Sequence, residues 1–550
     1  MNKPKVIVNE IFWERIQIYL KGYIQQSQIA QGYFFLYDTV NEKYLELHNV
    51  QFAENEFICR FNIATVNNGM HLNIGDYALV YMEKGNCCKT AVNVEILKDN
   101  EKNKRRGYCL NDFSKEFKQE TKYKHKNYTV SPVLKFDEGT YDLIIRITYE
   151  EKAKKIYERK DYFKKILTDL KNINASLRDS IFKLIFNTSK VLHWKKNSTV
   201  LFTSESRTEM SGNFHYIARE MFEQKLDSEY RIYQIFKGHV SERYKFIDKL
   251  KLPYLLGKAD YIFVDDFHPT LSKVKFRSNQ EIIQLWHAVG AFKTVGYSRI
   301  GKRDGPYFDS KGHRKYTKVY VSSSSDIPIY AEAFGVKEEN IVATGVPRTD
   351  VFFHKINEKI AKNKITEKIP LIKEKNVILF APTFRGSGHL TAFYPMDKID
   401  FEQLAEYCQQ SNSIVLFKMH PFIKEYIKIP PEYSNLLVDI SNFREVNDVL
   451  FATDLLITDY SSLIYEFAIL KRPMIFYAFD LEEYILNRDF YQPYETFVPG
   501  KIVKTFNQLM NSLYEHDYEF EKVNKFLNNH YNYFDGYSSK RIVKDLFLKS

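Results

Sequence analysis

At 550 residues the chain is too long for one ordinary hydrophobic core, and roughly three domains are expected at about 100–200 residues each. Its 44% apolar and 27% charged residues exclude a disordered chain, and no apolar run approaches the ~18 residues of a spanning helix. The net charge of +11 favours an anionic partner such as a phosphate-rich polymer or an anionic membrane. Nucleic acid is set aside, because no RNA-recognition or zinc-finger signature accompanies the 40 Tyr and 43 Phe.

Asn9, Glu10 and Glu14 interrupt the apolar block that a secretory signal needs. The five cysteines (Cys59, Cys87, Cys88, Cys109 and Cys408) form no CxxC pair, which predicts reduced structural thiols. Residues 1–150 read as a β-rich domain, a small sandwich or barrel, from segments such as 56–63, 77–81 and 141–148. Its basic stretches 102–106 and 122–126 read as solvated loops. Residues 151–196 then carry thirteen Lys and Arg against five Asp and Glu, with two apolar stripes at helical spacing. Phe163, Ile166, Leu167 and Leu170 form one; Ile181, Phe182, Leu184, Ile185 and Phe186 form the other. Such a segment suits an anionic membrane surface, or equally an interdomain helix pair with a wet basic face.

From Asn197 onward short apolar runs alternate with helical stretches, at 199–203, 261–264, 281–285, 319–321, 377–380, 414–417, 455–457 and 474–476. This is the pattern of an α/β fold with parallel sheets. The Lys-rich stretch 354–370 divides it into halves, 197–355 and 371–550. No GxGxxG or Walker loop is present, so neither a dinucleotide cofactor nor a P-loop is indicated. No carboxylate cluster is spaced for a divalent ion, which predicts chemistry without metal or cofactor.

Polar clusters follow these apolar runs directly. Thr458, Asp459, Ser461 and Ser462 stand where a strand gives way to a helix, and free backbone N–H groups there can cradle phosphate. An isolated Asp459 or Ser461 would equally serve as an ordinary helix cap. Thr383 and Arg385 end another run, and an arginine fork suits phosphate. Lys418 and His420 end a third, Arg348 and Asp350 sit on a turn, and His287 marks a strand-to-loop transition. A lone histidine is more often structural than a base, but five such clusters, each directly after an apolar run, are harder to dismiss.

The blocks QLWHAVGAFKTVG, ATGVPRTDVFF, ILFAPTFRG, LFKMHP, DLLITDYSSLIYEFAILKRPMIFYAFD and RDFYQPYETFVPGK resemble the CDP-glycerol/CDP-ribitol phosphotransferase family of wall teichoic acid synthesis, across about residues 197–550. The β-rich start and basic helical segment resemble the poly(ribitol-phosphate) polymerases in particular. The resemblance implies two Rossmann-like halves of the glycosyltransferase B type, the first facing the acceptor and the second the CDP-alditol donor. It implies His287 as the base for the acceptor hydroxyl and His420 at the donor pyrophosphate. Thr383, Arg385, Lys418, Thr458, Asp459, Ser461, Ser462 and Arg488 fall on the donor side. The block around Arg488 reads Arg-Asp-Phe-Tyr here where the family form is Arg-Gly-Phe-Tyr. The stretch 293–318 has a net charge of +6; Lys293, Arg299, Lys302 and Arg303 are expected to hold a polyanionic acceptor. The implied partners are CDP-ribitol or CDP-glycerol, a lipid-linked teichoic acid and the cytoplasmic face of the membrane, to which the protein would bind peripherally. A homo-oligomer is left open. Competing readings are a poly(glycerol-phosphate) polymerase or primase, a nucleotide-sugar transferase, and a non-catalytic membrane- or polymer-binding module.

Overall fold

The computed structural model describes residues 5–25, 32–83, 90–94, 113–120, 124–137, 140–153, 159–238, 242–302, 305–386, 391–423, 427–443 and 446–548. Alternation of apolar and polar residues builds the N-terminal strands: β6, for instance, buries every second side chain. The strands are β1 (Lys5–Glu14), β2 (Gln17–Gln25), β3 (Gly32–Asp38), β4 (Lys43–Leu47), β5 (Asn49–Ala53), β6 (Glu56–Asn62), β7 (Gly75–Glu83), β8 (Thr90–Val94), β9 (Lys115–Glu120), β10 (Lys124–Asp137) and β11 (Thr140–Ala153). They form one sheet in the order β4-β3-β7-β11-β8-β1-β2-β6-β5, with β10 pairing β11 and β9. The three segments read as strands all lie in it. Lys124–Lys126, expected in a loop, instead open β10, where Lys126 lies opposite Glu151 and Lys124 pairs with Glu151. The stretch 102–106 lies outside the described residues.

A single helix, Arg159–Leu192, follows where the two stripes left room for a pair. Side chains of the first stripe lie outside the described residues. The second stripe divides: Phe186 is buried against the helix Phe246–Lys258, while Ile181 and Leu184 are exposed. Gly257 permits this close approach, since a Cβ there would sit 2.6 Å from Phe186 O.

Two parallel sheets follow. The first runs β13 (Arg231–Phe236), β12 (Thr199–Ser204), β14 (Tyr261–Val264), β15 (Glu281–Gln284), β16 (Lys318–Val321), β17 (Ile341–Ala343). The second runs β20 (Leu437–Asp439), β19 (Ser413–Phe417), β18 (Asn376–Phe380), β21 (Leu455–Thr458), β22 (Met474–Tyr477), β23 (Lys501–Val503). The central strands β12, β14, β18, β19, β21 and β22 are buried along most or all of their length, because helices cover both faces. The last helix, Ser538–Phe547, departs from the division at 371. Ile542, Val543 and Leu546 join the core around Phe202 and Phe263 of the first sheet, and Tyr320 Oη donates to Asp545 (2.6 Å). The chain end thus ties the second half to the first.

Candidate active site

In open parallel sheets, ligands collect at the carboxyl ends of strands where the strand order reverses. That point lies between β12 and β14 in the first sheet and between β18 and β21 in the second. His287 follows β15, Thr383 and Arg385 follow β18, Lys418 and His420 follow β19, and Thr458–Ser462 end β21.

The main chain around His287 is held from three sides. Asn213 Nδ2 donates to Leu285 O (3.2 Å) and Trp286 O (2.6 Å), and Arg348 Nη1 donates to His287 O (2.8 Å). Gln284 Oε1 accepts from Trp286 N (2.8 Å), which fixes Trp286 at φ +50°. The imidazole is 49% exposed, lies against the Trp286 ring, and has Nδ1 3.6 Å from Asp266 Oδ1. That spacing is longer than a hydrogen bond and within the range that tightens when substrate binds. Gln284 Nε2 also donates to Asp266 O (3.2 Å), so one side chain sets both loops. Asp266 is a residue that the sequence reading does not single out. Its signal was the Asp265-Asp266 pair directly after an apolar run.

On the second half, His420 Nδ1 accepts from Phe422 N (3.1 Å), which leaves Nε2 as the protonated nitrogen. Burial, with Lys293 and Lys418 nearby, lowers its pKa to about 4, so it is a neutral donor at physiological pH. The Phe384 ring lies between His420 (4.7 Å between centroids) and the Arg488 guanidinium (5.6 Å). Lys293, expected on the acceptor side, donates to Tyr484 Oη of the second half (3.4 Å) and its charge is felt at His420. Ser461 and Ser462 are partly exposed, and Ser461 Oγ accepts from Leu463 N (3.3 Å).

Other expected donor residues are internal. Arg385 is not a free clamp: Nε and Nη2 bond Asp480 (2.5 and 2.8 Å), and Nη1 bonds Asp459 (2.9 Å) and Thr383 O (2.6 Å). These carboxylates outweigh its desolvation and raise its pKa further. Asp459 is itself buried and accepts from Thr383 N (2.7 Å). Thr458 Oγ1 donates to Ala381 O (2.7 Å), and Lys418 Nζ to Ser441 O (2.9 Å). These groups brace the strand ends, and Thr383 is buried with them.

The basic loop after His287 is no free arm either. Tyr297, Ile300, Tyr307 and Phe308 are buried in the core of the N-terminal sheet. Thr294 N donates to Asp489 O (3.2 Å), Thr294 Oγ1 to Arg488 O (2.8 Å), and Lys302 pairs with Asp489 (3.2 Å). Arg299 closes a short turn, Gly296–Arg299, and Arg303 lies outside the described residues. Aromatic anchors interleaved with the cations explain the difference: the loop is pinned at both ends by burial. Among the described residues no three His, Cys, Asp or Glu converge as a metal site would require.

Residues 185–548 match the model of the family described as CDP-Glycerol:Poly(glycerophosphate) glycerophosphotransferase. The chain is 50% identical to the teichoic acid ribitol-phosphate polymerase TarL of Staphylococcus aureus, covering 100% of both chains. It is 52% identical to the ribitol-phosphate polymerase TarK of the same organism, over 90% of this chain and 99% of that one. The solved wall teichoic acid polymerase TagF shares the fold, with a TM-score of 0.56 at 24% identity over 70% of this chain and 97% of that one. The chain belongs to the CDP-glycerol:poly(glycerophosphate) glycerophosphotransferase family.

Proposed function

We propose that this enzyme, a CDP-alditol phosphotransferase of teichoic acid synthesis, extends a lipid-linked chain with ribitol phosphate from CDP-ribitol and releases CMP. The donor choice is carried by the likeness to ribitol-phosphate polymerases along the entire chain, N-terminal sheet included. His287 Nε2 takes the proton of the terminal acceptor hydroxyl, with Asp266 orienting the ring. The hydroxyl oxygen then bonds the phosphorus bearing ribitol, and the bond from that phosphorus to the CMP oxygen breaks. Such transfers depend on placement and on stabilising phosphoryl charge. His420 Nε2–H, Arg488, Lys293 and the Ser461–Ser462 turn are the groups placed to supply it. Arg385, Asp459, Thr458, Thr383 and Lys418 act from behind as braces.

The same reading places the protein on an anionic membrane surface. Leu177, Ile181 and Leu184 make an exposed row on the long helix, and Phe246, Ile247 and Leu250 are exposed on its neighbour, with Lys183, Lys190 and Lys249 interspersed. Among the described residues no helix is long and apolar enough to cross a membrane.

CMP release with a primed acceptor, compared between CDP-ribitol and CDP-glycerol, tests the donor. Release from ribitol with long products supports the reading. Release from glycerol alone overturns the donor choice, and single-unit products assign a primase.

A further inference from the structure

A cavity of about 460 Å³ lies away from the two histidines, at the seam between the N-terminal sheet and the loop that follows His287. Its volume falls in the range of small-ligand sites. Tyr128 of β10 and Tyr149 of β11 are cross-strand partners on one side, and Tyr307, Phe308 and Asp309 of the loop form the other. The Phe308 ring stacks on Tyr128 at 4.0 Å, giving the cavity a fixed aromatic floor. Polar groups converge on this floor. His71 Nδ1 is buried and has no hydrogen-bond partner among the described residues, while Asn73 and Asp309 are exposed at the mouth. Lys126 Nζ stands 4.8 Å over the Tyr307 ring and 3.7 Å from Asp309, too far for a hydrogen bond.

We propose that this cavity is a second binding site for the poly(alditol phosphate) chain, holding units behind the reacting end. The inference rests on the polymerase reading above. The partly exposed Tyr149 ring covers the C–H edges of a polyol, Asn73, Asp309 and His71 exchange hydrogen bonds with its hydroxyls, and Lys126 meets the phosphodiester charge. One repeating unit presents both kinds of group. The cavity wall and His287 lie on the same segment of chain, between β15 and β16. A held chain stays with the enzyme between additions, which raises the local concentration of its end.

The test uses the full-length enzyme, a lipid-free ribitol-phosphate oligomer as binding probe, and a one-unit primed acceptor for turnover. Asn73→Asp adds one negative charge at the mouth in the same shape; Tyr149→Ala removes a wall. Calorimetry should show oligomer affinity about tenfold weaker in each variant. Product length should fall several-fold while CMP release from the one-unit acceptor continues. Unchanged affinity and product length in both variants would overturn the proposal while leaving the polymerase reading intact. Absence of CMP release by the wild-type enzyme with either CDP-alditol would overturn both.

Discussion

The Arg348 guanidinium bridges the two halves of the molecule: Nη1 donates to His287 O at 2.8 Å, and Nη2 pairs with the fully buried carboxylate of Glu466. Glu466 lies on the helix Leu463–Ile469, directly after the Ser461–Ser462 turn. Gly290 packs on the same helix so closely that a Cβ would fall 2.2 Å from the Tyr465 ring. The loop of the candidate base and the start of the donor-side helix therefore move as one piece. Removing one partner strands a buried charge, which costs about 3–5 kcal/mol. Arg348→Ala and Glu466→Gln should each lower the thermal midpoint by several degrees and reduce turnover. A midpoint equal to wild type in both would show that the pair holds nothing.

Acid sensitivity follows from histidines kept neutral by burial. His530, ringed by Tyr465, Phe497 and Phe526, has its pKa lowered to about 4 by desolvation. Because the folded value lies below the unfolded 6.5, the unfolded chain binds the extra proton. The contribution of His530 to stability is constant above about pH 6.5 and is lost as pH drops from there toward 4. His530→Phe removes up to about 3 kcal/mol of that dependence and a buried Nδ1 that has no partner among the described residues. Thermal melts between pH 7 and pH 5 should be flatter for the variant; equal slopes would contradict the assignment.

Asp489 adopts φ +63° and ψ 154°, a region that glycine enters without a steric cost. The resemblance led to glycine at this place, and the backbone geometry gives the reason. Relief of this strain outweighs the Lys302 ion pair, which is partly exposed and weak. Asp489→Gly should raise stability by about 1 kcal/mol, measured by denaturant unfolding. A loss of stability would mean that the Lys302 pair and the bond from Phe490 N to Asp489 Oδ1 (2.9 Å) dominate.

The exposed row Leu177, Ile181 and Leu184 predicts reversible adsorption. Changing all three to Asn should cut sedimentation with anionic vesicles by about tenfold or more. The thermal midpoint should stay near wild type, since none of the three is buried. Unchanged sedimentation would remove this helix from the membrane account.

The sequence disclosed the centres of the two parallel sheets and missed their margins. The strands not anticipated are β13, β17, β20 and β23, which are the four sheet edges. β13 reads Arg-Ile-Tyr-Gln-Ile-Phe, with polar residues facing water, and the other three are only three residues long. β13, β20 and β23 therefore lack the uninterrupted apolar run that marks a strand covered on both faces, whereas β17, Ile-Val-Ala, has a short one. The positions of the two histidines, just past β15 and β19, were legible because they follow such runs. Asp266, Asn213 and Glu466 were not, since their partners are distant in sequence and one acidic or amide side chain resembles another until the fold joins them. Arg385 misled for the converse reason: a cation at a strand end has the same pattern whether it faces ligand or a pair of buried carboxylates.

The most direct test of the account is to measure CMP release and CDP-ribitol binding on the same His287→Asn and Asp266→Asn proteins. Turnover should fall about a thousandfold in His287→Asn and less, about ten- to a hundredfold, in Asp266→Asn, with donor affinity within about twofold of wild type in both. Parallel loss of binding and turnover in His287→Asn would assign that side chain to holding the donor, and wild-type turnover would remove it from the chemistry.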